Sequence, residues 1–391
     1  MPEAGEFSRV ESALSQGGVR QSLEVLADYL LTQGRFHELY RARKMQVRDR
    51  LGLTLLDDDP REVLSDDQRL KLEEELTLVC REIGGLLMRA GKTYDGWMFL
   101  RAAGAKELAR QILDETPTTE DNREEMIEVA LREGLDVPRG FALVLDSFGC
   151  CNAITTFDAE ISRHSPADRQ AAAAILVRAL HRDLLASVTR DIARQEGQTP
   201  QDNRLGALVA ERPWLFGEMS YHIDTTHLAS VVRFARQLRD PELLRAAFDL
   251  TEYGRRLHKQ FQYPGDEPFG EMYPASALFF RALLGEGVDE ALSYFRNKAE
   301  SLDSQQIGSA PAEVYIDLLS RTGRPREALL EALRLLGNEN QLLGIAPSFL
   351  DLARQASDFQ PIVDFCRERG DLLGFATALV VSRCDGRIPP P

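Results

Sequence analysis

Cysteine is scarce in this sequence. Five occur among 391 residues, at Cys80, Cys150, Cys151, Cys366 and Cys384. An odd, sparse set is not a disulfide framework, and without a CxxC pair there is no structural zinc ribbon. No Asn-x-Ser/Thr sequon occurs. The start, Met1-Pro2-Glu3-Ala4-Gly5-Glu6, lacks the basic and apolar regions of a signal peptide. No apolar run approaches the roughly 20 residues that cross a bilayer. These absences predict a reducing, cytoplasmic setting and no membrane partner. Basic side chains are in deficit, 47 against 62 acidic, which leaves a net charge of −15. Such a chain has no general attraction for phosphate backbones, so nucleic acid is not an expected partner.

Complete catalytic motifs are absent too. Gly91-Lys92-Thr93 resembles the end of a phosphate-binding loop, but position 86 is Leu and the segment joins helices rather than a strand to a helix. His181-Arg182-Asp183-Leu184 matches a kinase fragment, yet it lies in a helical stripe and Val188 stands where that motif has Asn.

What is present is helical periodicity. The 43% apolar fraction supports a packed core. Apolar residues recur at spacings of three and four, as in Leu23, Leu26, Ala27, Leu30 and Leu31, or Leu72, Leu76, Val79, Ile83, Leu86 and Leu87. Ser165, Pro166 and Asp168 form a strong start signal before the stripe Leu176, Leu180, Leu184, Val188. The pattern predicts an all-α protein. An exposed loop at 196–203 suggests two halves, 1–203 and 204–391.

Several stripe pairs are joined through a glycine, at Gly34, Gly91, Gly323 and Gly370, where a left-handed residue ends one helix and a short turn opens the next. Antiparallel helix pairs of this kind bury their apolar stripes by stacking on their neighbours. Gly323 followed by Ala328, within Arg324-Pro325-Arg326-Glu327-Ala328-Leu329, resembles the centre of a tetratricopeptide repeat, and Gly34 with Phe36 follows it more loosely. The resemblance covers about a third of the chain, without a strict 34-residue period. It implies a right-handed, tetratricopeptide-like α-solenoid of antiparallel hairpins, irregular in its middle, and therefore a protein or peptide partner.

The densest polar constellation runs from Trp214 to His227. Two of the chain's six histidines, His222 and His227, flank Asp224, an expected N-cap for a helix over 226–238. If that helix and the next form a hairpin turning near 240, His258, Glu252, Arg255 and Arg256 come to the same end as His222, Asp224 and His227. Phe216-Gly217-Glu218-Met219 recurs as Phe269-Gly270-Glu271-Met272, which places Glu218 and Glu271 ahead of successive helices.

Two functions follow from these residues. The first is an interaction scaffold or binding module, with Arg233, Arg236, Arg239, Arg245, Arg255 and Arg256 available to an acidic segment of a partner. The second is a metal-dependent hydrolase or lyase. There His222, His227 and His258 would hold a divalent transition metal (Zn, Mn, Fe or Ni), with Asp224, Glu218 or Glu271 as base or orienting group. The same groups without metal would serve in proton transfer.

Overall fold

The computed structural model describes residues 4–56, 63–217, 219–302, 304–339 and 341–385. Among these the regular structure is helical, with no strand, so the all-α expectation holds. The chain divides into two compact units, Met1–Glu160 and Ile161–Pro391. The first carries α1 (Ala4–Thr32), α2 (Phe36–Arg50), α3 (Asp66–Arg89), α4 (Thr93–Ala102), α5 (Lys106–Glu115), α6 (Arg123–Ile127) and α7 (Val137–Ala159). The second opens with α8 (Pro166–Glu196), α9 (Leu205–Ala210), α10 (Thr225–Ala235), α11 (Pro241–Arg256) and α12 (Met272–Leu283). It continues through α13 (Val288–Ser301), α14 (Ser304–Ile307), α15 (Ala310–Arg321), α16 (Pro325–Leu336), α17 (Phe349–Ala356), α18 (Gln360–Arg369) and α19 (Leu372–Asp385). The loop around Asn203 lies inside the second unit, between α8 and α9.

Local chemistry explains where these helices begin and end. Ser65 opens α3 with a capping box: its hydroxyl accepts from the Gln68 backbone N–H at 3.2 Å, while Gln68 Oε1 accepts from the Ser65 N–H at 3.1 Å. Ser165 caps α8 by accepting from the Asp168 N–H at 3.2 Å, with Pro166 at the first helical position. Gly34, Gly91, Gly323 and Gly370 all sit at positive φ between helices, the conformation that costs any other residue most.

Packing is largely between neighbours in sequence. In the first unit α1 lies on α2, α2 on α3 and α3 on α4; in the second α10 lies on α11, α11 on α12, α15 on α16 and α16 on α17. The α3–α4 crossing is close because two glycines meet there. A Cβ on Gly96 would fall 2.6 Å from the Gly84 carbonyl oxygen. Around this crossing Leu30, Leu39, Val79, Ile83 and Leu87 form one buried cluster, and Met88, Trp97, Leu100, Ile112 and Met126 another. In the second unit Phe269, Phe279 and Phe295 pack at ring-centroid distances of 5.2–5.8 Å.

One stretch, Val137–Arg163, has the length and apolar composition of a bilayer-crossing helix, which the absence of a long apolar run did not lead us to expect. Gly149 interrupts its helical dihedrals at φ 79°, and Asp146, Asp158 and Glu160 fall within it.

Candidate functional site

His222 precedes α10 by three residues, in the loop that Asp224 closes. Asp224 accepts from the backbone N–H groups of Thr226 at 2.8 Å and His227 at 3.1 Å, so it is the expected N-cap. The loop folds back on α11, and His222 meets Tyr253 rather than residues 257–258. Its backbone N–H donates to the Tyr253 phenol at 2.8 Å, and its Nδ1 lies 3.0 Å from the same oxygen. Its Nε2 lies 3.2 Å from Asp191 Oδ2, on α8. One tautomer satisfies all three: Tyr253 donates to Nδ1 and Nε2–H donates to Asp191. The His222 side chain is only 7% exposed. Burial raises the Tyr253 phenol above the ordinary tyrosine range, against the N–H of His222.

The other expected site residues go elsewhere. His227 lies in the first turn of α10. His258 is exposed, and its Nδ1 accepts from the Gln260 N–H at 3.4 Å, capping its own short turn. Glu252 pairs with Arg255 at 2.7 Å. Glu271 is exposed at the start of α12 and caps nothing with its side chain. Glu218 lies outside the described residues. Among the described residues no group of three or more His, Cys, Asp or Glu side chains stands close enough to hold a metal ion. In this arrangement Tyr253 and Asp191 engage both ring nitrogens of His222.

Arginine, by contrast, converges. A cavity of about 660 Å³ opens in the second unit, within the range of small-ligand pockets. It is bounded by the start of α8, the end of α10, the turn 266–269, α12, α15, α17 and the loop 343–347. Five arginines line it: Arg169, Arg233, Arg236, Arg239 and Arg321. The Arg236 guanidinium carbon lies over the Phe269 ring, 3.5 Å from its centroid, and Nη2 donates to Ser276 at 3.3 Å. Its Nε is buried with no hydrogen-bond partner, and so is Nε of Arg169. Burial, with Arg233 nearby, pushes Arg236 down to about 9, against the pull of Asp266. Arg236 thus stays cationic at neutral pH, in surroundings that penalise its charge.

The carboxylates around the cavity are mostly occupied. Asp317 accepts from Arg321 at 3.2 Å, Glu267 from Lys298 at 3.0 Å and Asp351 from Arg354 at 3.2 Å. Arg321 also closes the end of α10, donating to the Arg236 carbonyl at 2.8 Å and to the Leu238 carbonyl. Those carbonyls lie at the C-cap and just past the end of α10, where no further helical turn supplies a donor. Burial raises the Asp317 carboxyl against the opposing Arg321.

The remaining wall is apolar. Leu343 and Ile345 are 63% and 42% exposed, in a loop held from below by Glu313. That buried carboxylate accepts from the backbone N–H groups of Leu343 and Ile345, each at 2.7 Å, and from the Ser309 hydroxyl at 2.6 Å.

Sequence reading picked out the arginines of the α10 end but not Arg169, Arg321 or Glu313. Nor did it find Asp191 and Tyr253 as the partners of His222. A lone charged residue on an apolar stripe, such as Asp317 beside Leu318 and Leu319, was the available signal. No family model, no curated protein and no solved structure matches the chain.

Proposed function

We propose that this chain is a helical-repeat binding module that acts by protein–protein contact, with the arginine-lined cavity of the second unit as its receptor. Stacked helix pairs joined by left-handed glycines support a tetratricopeptide-like arrangement. The observation that carries the reading is the state of Arg236. A half-buried cation over the Phe269 ring, with its Nε buried and unbonded, lines a cavity large enough to admit part of a partner chain. Enzymes also bury unpaired charge, but they place it beside a nucleophile or acid–base pair. His222, the best such candidate, does not line this cavity.

Photo-cross-linking in cells tests the module reading. A photoreactive side chain at Gln237, on the cavity wall, should give discrete adducts with a protein partner. The same group at exposed Arg182 on α8 should not give them. Adducts identical at the two positions, or none at Gln237, would overturn the reading.

A further inference from the structure

Two kinds of group line the cavity. Arg236, Arg239 and Arg169 come from the end of α10 and the start of α8, while Leu343 and Ile345 come from the exposed loop 343–347. Phe279 and Val314 line it as well. From this arrangement we infer that the cavity binds a short protein segment carrying a carboxylate next to an apolar side chain, the carboxylate at Arg236 and the apolar group against Leu343 and Ile345. The inference rests on the binding-module reading and names the chemistry of its partner.

Three observations favour that ligand. The first is the count of unmatched charge. Glu267, Asp317 and Asp351 each have a cation within hydrogen-bond distance, so among the described lining residues Asp266 is the acid left to offset Arg169, Arg236 and Arg239. An incoming anion is the missing partner. The second is geometry. The Phe269 ring and the bond to Ser276 hold the Arg236 guanidinium in place, and a held fork suits a planar carboxylate better than a freely rotating ammonium would. The third is the exposed apolar loop. Glu313 spends its carboxylate on backbone N–H groups to hold that loop in place, although the side chains it presents gain nothing from facing water. A partner's apolar side chain would cover them.

A free carboxylate metabolite would use the arginines alone and leave Leu343 and Ile345 uncovered. A nucleic acid would meet an acidic chain of net charge −15. The peptide is therefore the occupant we assign.

The test uses the full-length protein and an array of terminally blocked hexapeptides. Each carries one Asp or Glu placed one to three residues from a Leu or Phe, and the matched controls carry Asn or Gln, or Ser in place of the apolar residue. Binding is followed by fluorescence anisotropy in dilute salt. We expect the acidic–apolar peptides to bind, and each control to bind at least about tenfold more weakly. Arg239→Glu, an exposed change at the cavity mouth, should weaken the acidic peptides by a similar factor without unfolding the protein. Arg236→Met should abolish binding, with circular dichroism confirming the fold. If the amide controls bind as well as the acids, if Arg239→Glu has no effect, or if no peptide binds, the assignment is wrong. Should that happen while Gln237 still cross-links a discrete partner, only the ligand chemistry falls. Loss of both results would remove the module reading as well.

Discussion

Glu313 Oε2 accepts the backbone N–H of Ile345 at 2.7 Å, so a buried carboxylate on α15 sets the position of an exposed loop residue. Its other oxygen does the same for Leu343. One side chain thus ties this stretch of the cavity wall to α15. Glu313→Ala should leave these N–H groups without their acceptor and cost about 1–3 kcal/mol. Hydrogen exchange should show faster exchange at 343–346, with α15 itself still protected. Unchanged protection in the loop would show that something other than Glu313 holds it.

Arg321 and Asp317 are coupled. Their side chains are only 7% and 10% exposed, and Arg321 also closes the α10 terminus. Arg321→Met strands the Asp317 carboxylate in a buried place and should cost about 3–5 kcal/mol in denaturant unfolding. Asp317→Leu in the same chain should return part of that loss, since the stranded charge is gone while the α10 carbonyls stay uncapped. An additive double mutant would mean that the two residues do not interact.

Asp224 links stability to pH. The Thr226 hydroxyl, followed by the N–H groups of His227 and Thr226, holds its carboxyl below the usual value of 3.8, against a desolvation cost. A carboxyl depressed in the folded state adds stability that is complete above the unfolded value and is lost as pH falls through the folded one. Asp224→Ala should therefore cost about 1 kcal/mol at neutral pH, the ordinary worth of an N-cap. The gap from the wild type should narrow below pH 3.8. A gap that widens on acidification would contradict the cap.

His222 offers a test of metal binding. With Tyr253 on one ring nitrogen and Asp191 on the other, untagged protein purified without chelator should contain no stoichiometric transition metal by elemental analysis. His222→Phe should instead lower thermal stability, since the buried Tyr253 hydroxyl and Asp191 both lose a partner. Bound metal that disappears in this variant would restore the hydrolase or lyase reading.

The α3–α4 crossing depends on its glycines. Gly96→Val places branched carbon into the Gly84 carbonyl and should cost about 1–3 kcal/mol or more. Gly91→Ala, at φ 82° with open space around it, should cost less, because only backbone strain opposes it. Thermal melts of the two variants would rank the effects.

Helices were legible because their causes are local. Ser165 with Pro166 and Asp168 announced α8, Asp224 announced α10, and Gly323 announced the turn into α16. Each signal is a hydrogen bond or a backbone angle settled within a few residues. The candidate site was half legible. Arg233, Arg236 and Arg239 drew notice together because they lie close in sequence, and His222 stood out because histidine is rare. The metal set drew on the same proximity. Neighbouring polar residues in a loop do not have to face one another.

What the chain determined by itself is an acidic, all-helical protein, punctuated by glycine, proline and capping residues at the helix ends. Which charges meet was decided only by the tertiary structure. Arg321 reaches the carbonyl of Arg236 across 85 residues of chain, and Asp191 reaches His222 across 31. Local periodicity carries no record of such distances. An arginine gains its meaning from whether packing strips it of water and what it finds there, and at Arg236 it finds Phe269, Ser276 and an unbonded Nε.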